Sequence, residues 1–146
     1  MEAQAFADTS TELFAAMAAG RFTRSWPRAK AAAFAFGHSL ELFFKAVLAQ
    51  AKQPIPRTHD LQTLYMSFQK LCSGPEFAFS APIAEFIDAN KLKPFYLFLK
   101  YPEDETDIAK RWDASIHIDI VSWHRQIEQY AREIPRIWSA VKQHYT

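Results

Sequence analysis

The clearest amphipathic pattern in this chain lies between residues 29 and 51. Its apolar residues recur every three or four positions, so they fall near one face of an α-helix. Pro54 and Pro56 follow and enforce a stop. The pattern therefore predicts a long helix with one buried face. Its apolar stripe comprises Ala33, Phe36, Leu40, Phe43, Phe44, Val47, Leu48 and Ala51.

Composition favours more helices of the same kind around a shared core. The chain has 146 residues, which predicts one domain over residues 1–146 that is large enough to bury a core. It has only 3 Gly, and scarce glycine fits long helices better than a fold with many turns. With 13 Phe, the expected core is rich in aromatic rings.

Local signals place further helices on both sides of the long one. An Ala-rich segment from Ala3 to Ala19 ends at Gly20, a residue that suits a helix C-terminus. Residues 21–28 are expected to form a loop. A third helix is expected to begin near Thr58 or Asp60, either of which can cap it. Gly74-Pro75 should end that helix.

The second half of the chain predicts a short helix and a long one. Pro82 suits the first turn of a helix that runs to Leu92. The last helix is expected from about Ser115 to Tyr145, with Pro135 kinking it at a cost of about 3 kcal/mol unless compensated. The fold class predicted is all-α, an antiparallel bundle of four or five helices.

Charge, cysteine content and motifs narrow the function. The net charge of +1 predicts no global attraction to nucleic acid, so such contact would need a local basic patch. No cofactor is predicted, and no metal site, because no His or Cys motif has metal-ligand spacing. Cys72, the single cysteine, fits a reducing cytoplasm. No apolar run is expected to reach transmembrane length, and the N-terminus does not read as a signal peptide.

A patterned polar edge accompanies the apolar stripe of the long helix. His38, Glu41 and Lys45 follow one another at helical spacing, and His59-Asp60 opens the next helix. The residues that carry the pattern are Ala29, Ala32, His38, Glu41, Leu42, Lys45, Ala46 and Leu48, then His59, Asp60, Leu61 and Leu64. In their order and spacing they resemble the HEPN domains (higher eukaryotes and prokaryotes nucleotide-binding), and the likeness covers residues 15–65 best.

The resemblance implies a helical bundle that usually forms a homodimer. Many HEPN proteins are metal-independent ribonucleases with an Arg-x(4–6)-His motif near the start of a late helix. Many others lack activity and act as binding or regulatory modules, often beside a nucleotidyltransferase. Several belong to toxin–antitoxin or phage-defence systems, so an antitoxin is a further candidate partner.

Arg111 and His117 match the spacing of that motif, with five residues between them. Histidine can move protons near neutral pH, as 2′-hydroxyl attack on RNA requires. Arginine can hold the phosphate and offset charge that develops in the transition state. The family's motif usually has a polar residue after the arginine, whereas here Trp112 follows. An exposed arginine and a histidine at a helix start would be the structural alternative.

The polar edge itself has two interpretations. His38, Glu41 and Lys45 either face a ligand or dimer groove, or form a solvated or boundary face with an ordinary Glu–Lys pair. His59 is expected to bond locally at the start of the third helix. The aromatic run at residues 95–101 could stack bases, although core packing is commoner.

Three functions remain open from the sequence. The first is a binding or regulatory module for a nucleotide, a nucleic acid or a protein, without catalysis. The second is a metal-independent endoribonuclease of toxin or defence type that uses Arg111 and His117. The third is a structural homodimerisation module.

Overall fold

The computed structural model describes residues 1–89 and 118–146 of the chain. Within those two ranges it consists of five α-helices and has no strand, which confirms the predicted all-α class. A 3-10 turn at Pro75–Phe77 lies between the third and fourth helices. The helices are α1 (Glu2–Ala18), α2 (Trp26–Gln50), α3 (Leu61–Leu71), α4 (Ala81–Ala89) and α5 (Ile120–His144).

Two buried serine hydroxyls fix the direction in which α1 and α2 run. Ser39 donates to the carbonyl oxygen of Ala3 at 2.6 Å, and Ser10 donates to that of Ala32 at 2.7 Å. Since positions that rise along α1 pair with positions that fall along α2, the two helices are antiparallel. Small alanines on both helices are fully buried between them, among them Ala3, Ala7, Ala32 and Ala33.

Aromatic rings from α2 form the centre of the core, as the composition predicted. Phe36 and Phe43 have no exposed surface, and the ring of Phe36 meets that of Tyr130 on α5 at 5.3 Å between centroids. The ring of Phe43 packs against Phe68 of α3 and Phe79 before α4. One buried cluster therefore joins residues from all five helices.

The start of α2 differs from the prediction. Residues 21–28 were expected to be a loop, but the helix already begins at Trp26. Pro27 lies in its first turn, where the missing proline N–H costs nothing because that position has no intrahelical partner. The end of α1 agrees with the prediction, since Gly20 has a φ of +75° just beyond the helix.

Side-chain caps set the first residues of α3 and α5. Asp60 caps α3 by accepting from the backbone N–H of Gln62, as one of the two predicted alternatives. Asp119 caps α5 by accepting from that of Ser122. The expected start of the last helix near Ser115 is therefore wrong, because the cap places the first helical residue at 120. The predicted end of the fourth helix at Leu92 lies outside the described residues.

The helix α5 continues through Pro135 as a single element. Proline has no N–H, so the carbonyl of Ala131 loses its usual partner four residues later. The side-chain amide of Gln4 on α1 donates to that carbonyl at 3.1 Å. A contact between helices thus supplies the hydrogen bond that the proline removes.

One described helix has the length and composition of a membrane span. It covers Pro27–Gln50 within α2, with a mean hydropathy of 1.3. Contrary to expectation, an apolar stretch of transmembrane length is therefore present. About two thirds of that stretch, 67%, is buried inside the bundle. Packing against the other helices accounts for its apolar side chains.

Candidate functional site

A buried carboxylate on α2 gathers the polar residues that the sequence singled out. The side chain of Glu41 is only 4% exposed. Lys45, one turn later, places its Nζ 2.7 Å from Glu41 Oε1, and His59 places its Nδ1 2.7 Å from the same oxygen. His38, one turn earlier, has its Nδ1 3.7 Å from Glu41 Oε2. We call these four residues the Glu41 cluster.

Three of the four residues meet because of helix geometry. Positions three and four apart lie on the same flank of an α-helix, which brings His38 and Lys45 to either side of Glu41. The fourth comes from the connection between α2 and α3. Pro54 and Pro56 lie in that non-helical connection, which returns the chain to the flank of α2.

Hydrogen bonds around His59 hold the connection in place. The hydroxyl of Thr58 accepts from the backbone N–H of Asp60 at 3.0 Å. The carboxylate of Asp60 accepts from the backbone of Gln62 and from the hydroxyl of Thr63. Because both neighbours of His59 are fixed, its imidazole is held over Glu41.

The bond between Glu41 and His59 determines the tautomer of the imidazole. A carboxylate can only accept, so Nδ1 of His59 carries the proton in this bond. In the neutral ring Nε2 is then the basic nitrogen. The His59 side chain is 41% exposed, so the ring lies between the buried carboxylate and solvent.

Aromatic rings surround His38 at the other end of the cluster. Its imidazole meets the ring of Phe6 edge-on, with 4.5 Å between centroids. It is nearly parallel to the ring of Phe34, at 5.8 Å. These contacts set the orientation of a side chain that is still 27% exposed.

The polar edge lies at the boundary of the core, with Glu41 buried, Lys45 and His38 partly exposed, and the ordinary Glu–Lys pair present. A carboxylate with 4% exposure has lost its hydration and needs charged or hydrogen-bonding partners in return. His59 was expected to bond locally at the start of α3, whereas the structure pairs it with Glu41, 18 positions away. The spacing of Pro54, Pro56 and His59 gave no register from which that contact could be predicted.

The predicted catalytic pair lies elsewhere in the chain. Arg111 and His117 fall outside the described residues, and so does the aromatic run at residues 95–101. Their proposed roles stay predictions. In the described ranges, no group of three or more His, Cys, Asp or Glu is arranged to hold a metal ion.

On α5, alternating basic and acidic residues are typical of a solvated helix face, yet part of this polar group is buried. Glu133 is 6% exposed and accepts from the backbone N–H of Ser80 at 2.9 Å, just before α4. Arg136 donates to the carbonyls of Glu76 and Ala78. These bonds attach the segment between α3 and α4 to α5, which is a structural role.

Leu42, one of the residues of the HEPN-like pattern, is half-buried and packs against the core of its own chain. Its apolar character is thus explained by packing within the chain.

The fold and the cluster together define an all-α bundle with a buried carboxylate between two histidines and a lysine. The family model described as HEPN domain matches residues 18–134, so the chain belongs to the HEPN family. This membership places it in a superfamily of nucleotide-binding and ribonuclease type. No curated protein and no solved structure matched the chain.

Proposed function

We propose that this protein is a HEPN-type binding module that takes a phosphate group of a nucleotide or of RNA at the Glu41 cluster. The observation that carries the proposal is the convergence of two imidazoles and an ammonium on one buried carboxylate. A structural ion pair needs a single cation. Additional proton-carrying groups at a partly exposed edge are what an anionic ligand would use.

The geometry supports this chemistry in three ways. Lys45 offers a permanent positive charge, and its side chain is 24% exposed. His59 and His38 can each take up a proton and then donate from both ring nitrogens. Glu41 orients these groups from below, as a carboxylate behind a histidine does in many binding and catalytic sites. A phosphate at the surface would then meet three preoriented donors.

Nucleotide binding is tested by titrating the protein with AMP, ATP and adenosine in calorimetry without added metal. We expect saturable binding of AMP and ATP but not of adenosine, because the phosphate provides the contact. Lys45→Gln should weaken it about 10-fold or more, since hydrogen bonds to charged groups contribute about 1.5–3 kcal/mol.

Lys142→Gln is the matched control, because it removes one exposed lysine from the far end of α5. It should leave the affinity unchanged. Absence of saturable binding by the folded protein would contradict the proposal, and so would equal losses in the two variants.

A metal-independent endoribonuclease is the second candidate, and the spacing of Arg111 and His117 favours it. The test is incubation with total RNA in EDTA, followed by analysis of the fragment ends. If the pair is catalytic, fragments will end in 2′,3′-cyclic phosphate, and Arg111→Ala and His117→Ala will each abolish them. Equal cleavage by wild type and both variants would rule out the assignment.

Assembly belongs to the same proposal. We infer a cytoplasmic homodimer that acts with a nucleotidyltransferase or an antitoxin as its partner; a purely structural dimerisation module is the alternative. Light scattering at micromolar concentration should give twice the mass of the chain. A monomeric mass would remove the dimer from the proposal while leaving phosphate binding to be judged by calorimetry.

A further inference from the structure

The turn between α1 and α2 concentrates positive charge on a protein that is nearly neutral overall. Residues 13–40 contain no Asp or Glu, and the net charge of the whole chain is +1. We call residues 21–28 the α1–α2 corner. The Arg and Lys residues between positions 13 and 40 are Arg21, Arg24, Arg28 and Lys30, the first three of them in the corner.

An exposed aromatic ring lies in the middle of this charge. Phe22 is 42% exposed, one of few large apolar side chains in the described residues with so much exposure. The guanidinium of Arg28 lies over its ring, 5.1 Å from the centroid. Both side chains line a cavity of about 120 Å³ whose other walls are Leu13, Met17 and Ala31. The cavity thus has an apolar floor beside a cation and a ring.

Hydrogen bonds hold the corner in a defined shape. The backbone N–H groups of Arg21 and Phe22 both donate to the carbonyl of Ala16. The guanidinium of Arg24 donates to the last carbonyls of α1, those of Met17 and Ala18, each at 3.2 Å. A fixed backbone therefore presents the ring of Phe22 to solvent, outside the core.

We propose that the α1–α2 corner binds single-stranded RNA, with a base against Phe22 and Arg28 and the backbone phosphates near Arg21 and Arg28. Single-strand binders combine an aromatic platform with a cationic track, because every base has a face that can stack. An acidic protein segment would satisfy the charge but would make no use of the exposed ring and its cavity.

The corner is separate from the Glu41 cluster. Arg28 and Glu41 are thirteen residues apart on α2, about 20 Å along the helix axis. The inference therefore does not rest on the phosphate-binding role proposed for that cluster, and the two can fail independently.

The test uses a short oligouridine with 2′-O-methyl groups, which cannot be cleaved by attack of its own 2′-hydroxyl. Binding of the fluorescent probe is followed by anisotropy at low and at high salt. We expect saturable binding that weakens with salt, as phosphate contacts require. Phe22→Ala should weaken RNA binding roughly 5- to 100-fold, the range that corresponds to the energy of stacking one base on an aromatic ring. Arg21→Gln with Arg28→Gln should also weaken it and flatten the salt dependence.

The matched control is Lys70→Gln with Lys142→Gln, which removes the same charge from exposed positions outside the corner. It should bind like wild type. Circular dichroism verifies that each variant is folded. A variant of Phe22 that does not fold is replaced by Phe22→Leu, which keeps an apolar side chain but removes the ring.

Several results would overturn the corner assignment. The first is the absence of RNA binding by wild type, and the second is an equal loss of affinity in the corner and control variants. The third is an equally strong binding of oligoglutamate, with an affinity that Phe22→Leu does not change. Loss of RNA binding in Lys45→Gln but not in the corner variants would place RNA at the Glu41 cluster. In that case the corner is wrong while the proposed function stands.

Discussion

The carboxylate of Glu41 and the ammonium of Lys45 contribute to their ion pair unequally. Glu41 is 4% exposed, whereas Lys45 is 24% exposed and can reach water along its flexible stem. If Glu41 is neutralised, the lysine can turn outward. If Lys45 is removed, a permanent positive charge is lost from beside a carboxylate that stays buried. Removing the exposed partner should therefore be the more harmful change.

We predict that Lys45→Met destabilises the fold more than Glu41→Gln does. The glutamine keeps the shape and should cost about 1–3 kcal/mol, mainly through weaker hydrogen bonds to His59 and Lys45. Lys45→Met should cost up to about 3–5 kcal/mol, the range for breaking a buried pair. Urea unfolding of the two variants measures both losses, and a smaller loss for Lys45→Met would refute the argument.

For single residues, the sequence could predict contacts between side chains on the same helix but not contacts with side chains from other parts of the chain. The spacing of Glu41 and Lys45 alone requires them to be neighbours. The contact of His59 with Glu41 depends on how a ten-residue connection folds back, which no local pattern encodes. Burial was the other missing fact: Glu133 sits in an alternating charged pattern, yet it accepts a bond from Ser80 beneath the surface.

Among the helices, α1 and α5 are linked by the bond that compensates Pro135. Gln4 donates to the carbonyl of Ala131, which would otherwise bond to the N–H that proline lacks. The proline therefore depends on a residue 131 positions earlier in the chain. This dependence can be measured as a coupling between the two side chains.

We predict that Gln4→Ala costs about 1–3 kcal/mol in the wild-type chain, because it leaves a part-buried carbonyl without that donor. In a Pro135→Ala background the same change should cost less, since the alanine N–H restores the helical bond. A double-mutant cycle by urea denaturation gives the coupling energy. Equal costs of Gln4→Ala in both backgrounds would show that the contact does not compensate the proline.

Helix positions were largely predictable, and their ends less so. The stripe of α2 predicted its buried face because helical spacing dictates which side chains lie together. The start of α5 was missed because Asp119 and Ser115 are both acceptable caps by type, and the choice depends on how residues 118–119 meet the bundle. The start of α2 was missed because Pro27 was interpreted as part of a loop when it occupies a first turn.

For the whole molecule, buried groups that ionise at high pH make the fold sensitive to alkali. Burial raises the pKa of the Cys72 thiol from 9.0 to about 11, with a further contribution from the charge of Glu76. Burial also raises the pKa of Tyr130, which is fully enclosed and whose hydroxyl lies 3.0 Å from that of Ser39. In the unfolded chain both groups return to their ordinary pKa values and release protons sooner.

We predict that thermal stability falls as the pH rises above about 9. Above the ordinary pKa of 9.0 for the thiol, the unfolded state binds fewer protons than the native state, so stability declines with pH. Tyr130 adds to the decline above its ordinary value of 10.0. The midpoint of unfolding by circular dichroism between pH 8 and 11 measures this. Cys72→Ala should give a shallower decline from pH 9, and a level midpoint up to pH 11 would contradict both assignments.

The packing of the first helix bears on where a stable version of this domain can be cut from the chain. The match begins at residue 18, so it leaves out all of α1 except its last residue. Yet α1 supplies the fully buried Phe14 and the partners of Ser39 and Ala131. In a chain trimmed to residues 18–134, one side of α2 would be exposed. Those polar atoms would lose their hydrogen-bond partners. The trimmed chain should aggregate or stay unfolded. In the whole protein, the amide hydrogens of α1 should exchange as slowly as those of the helices at the centre of the core.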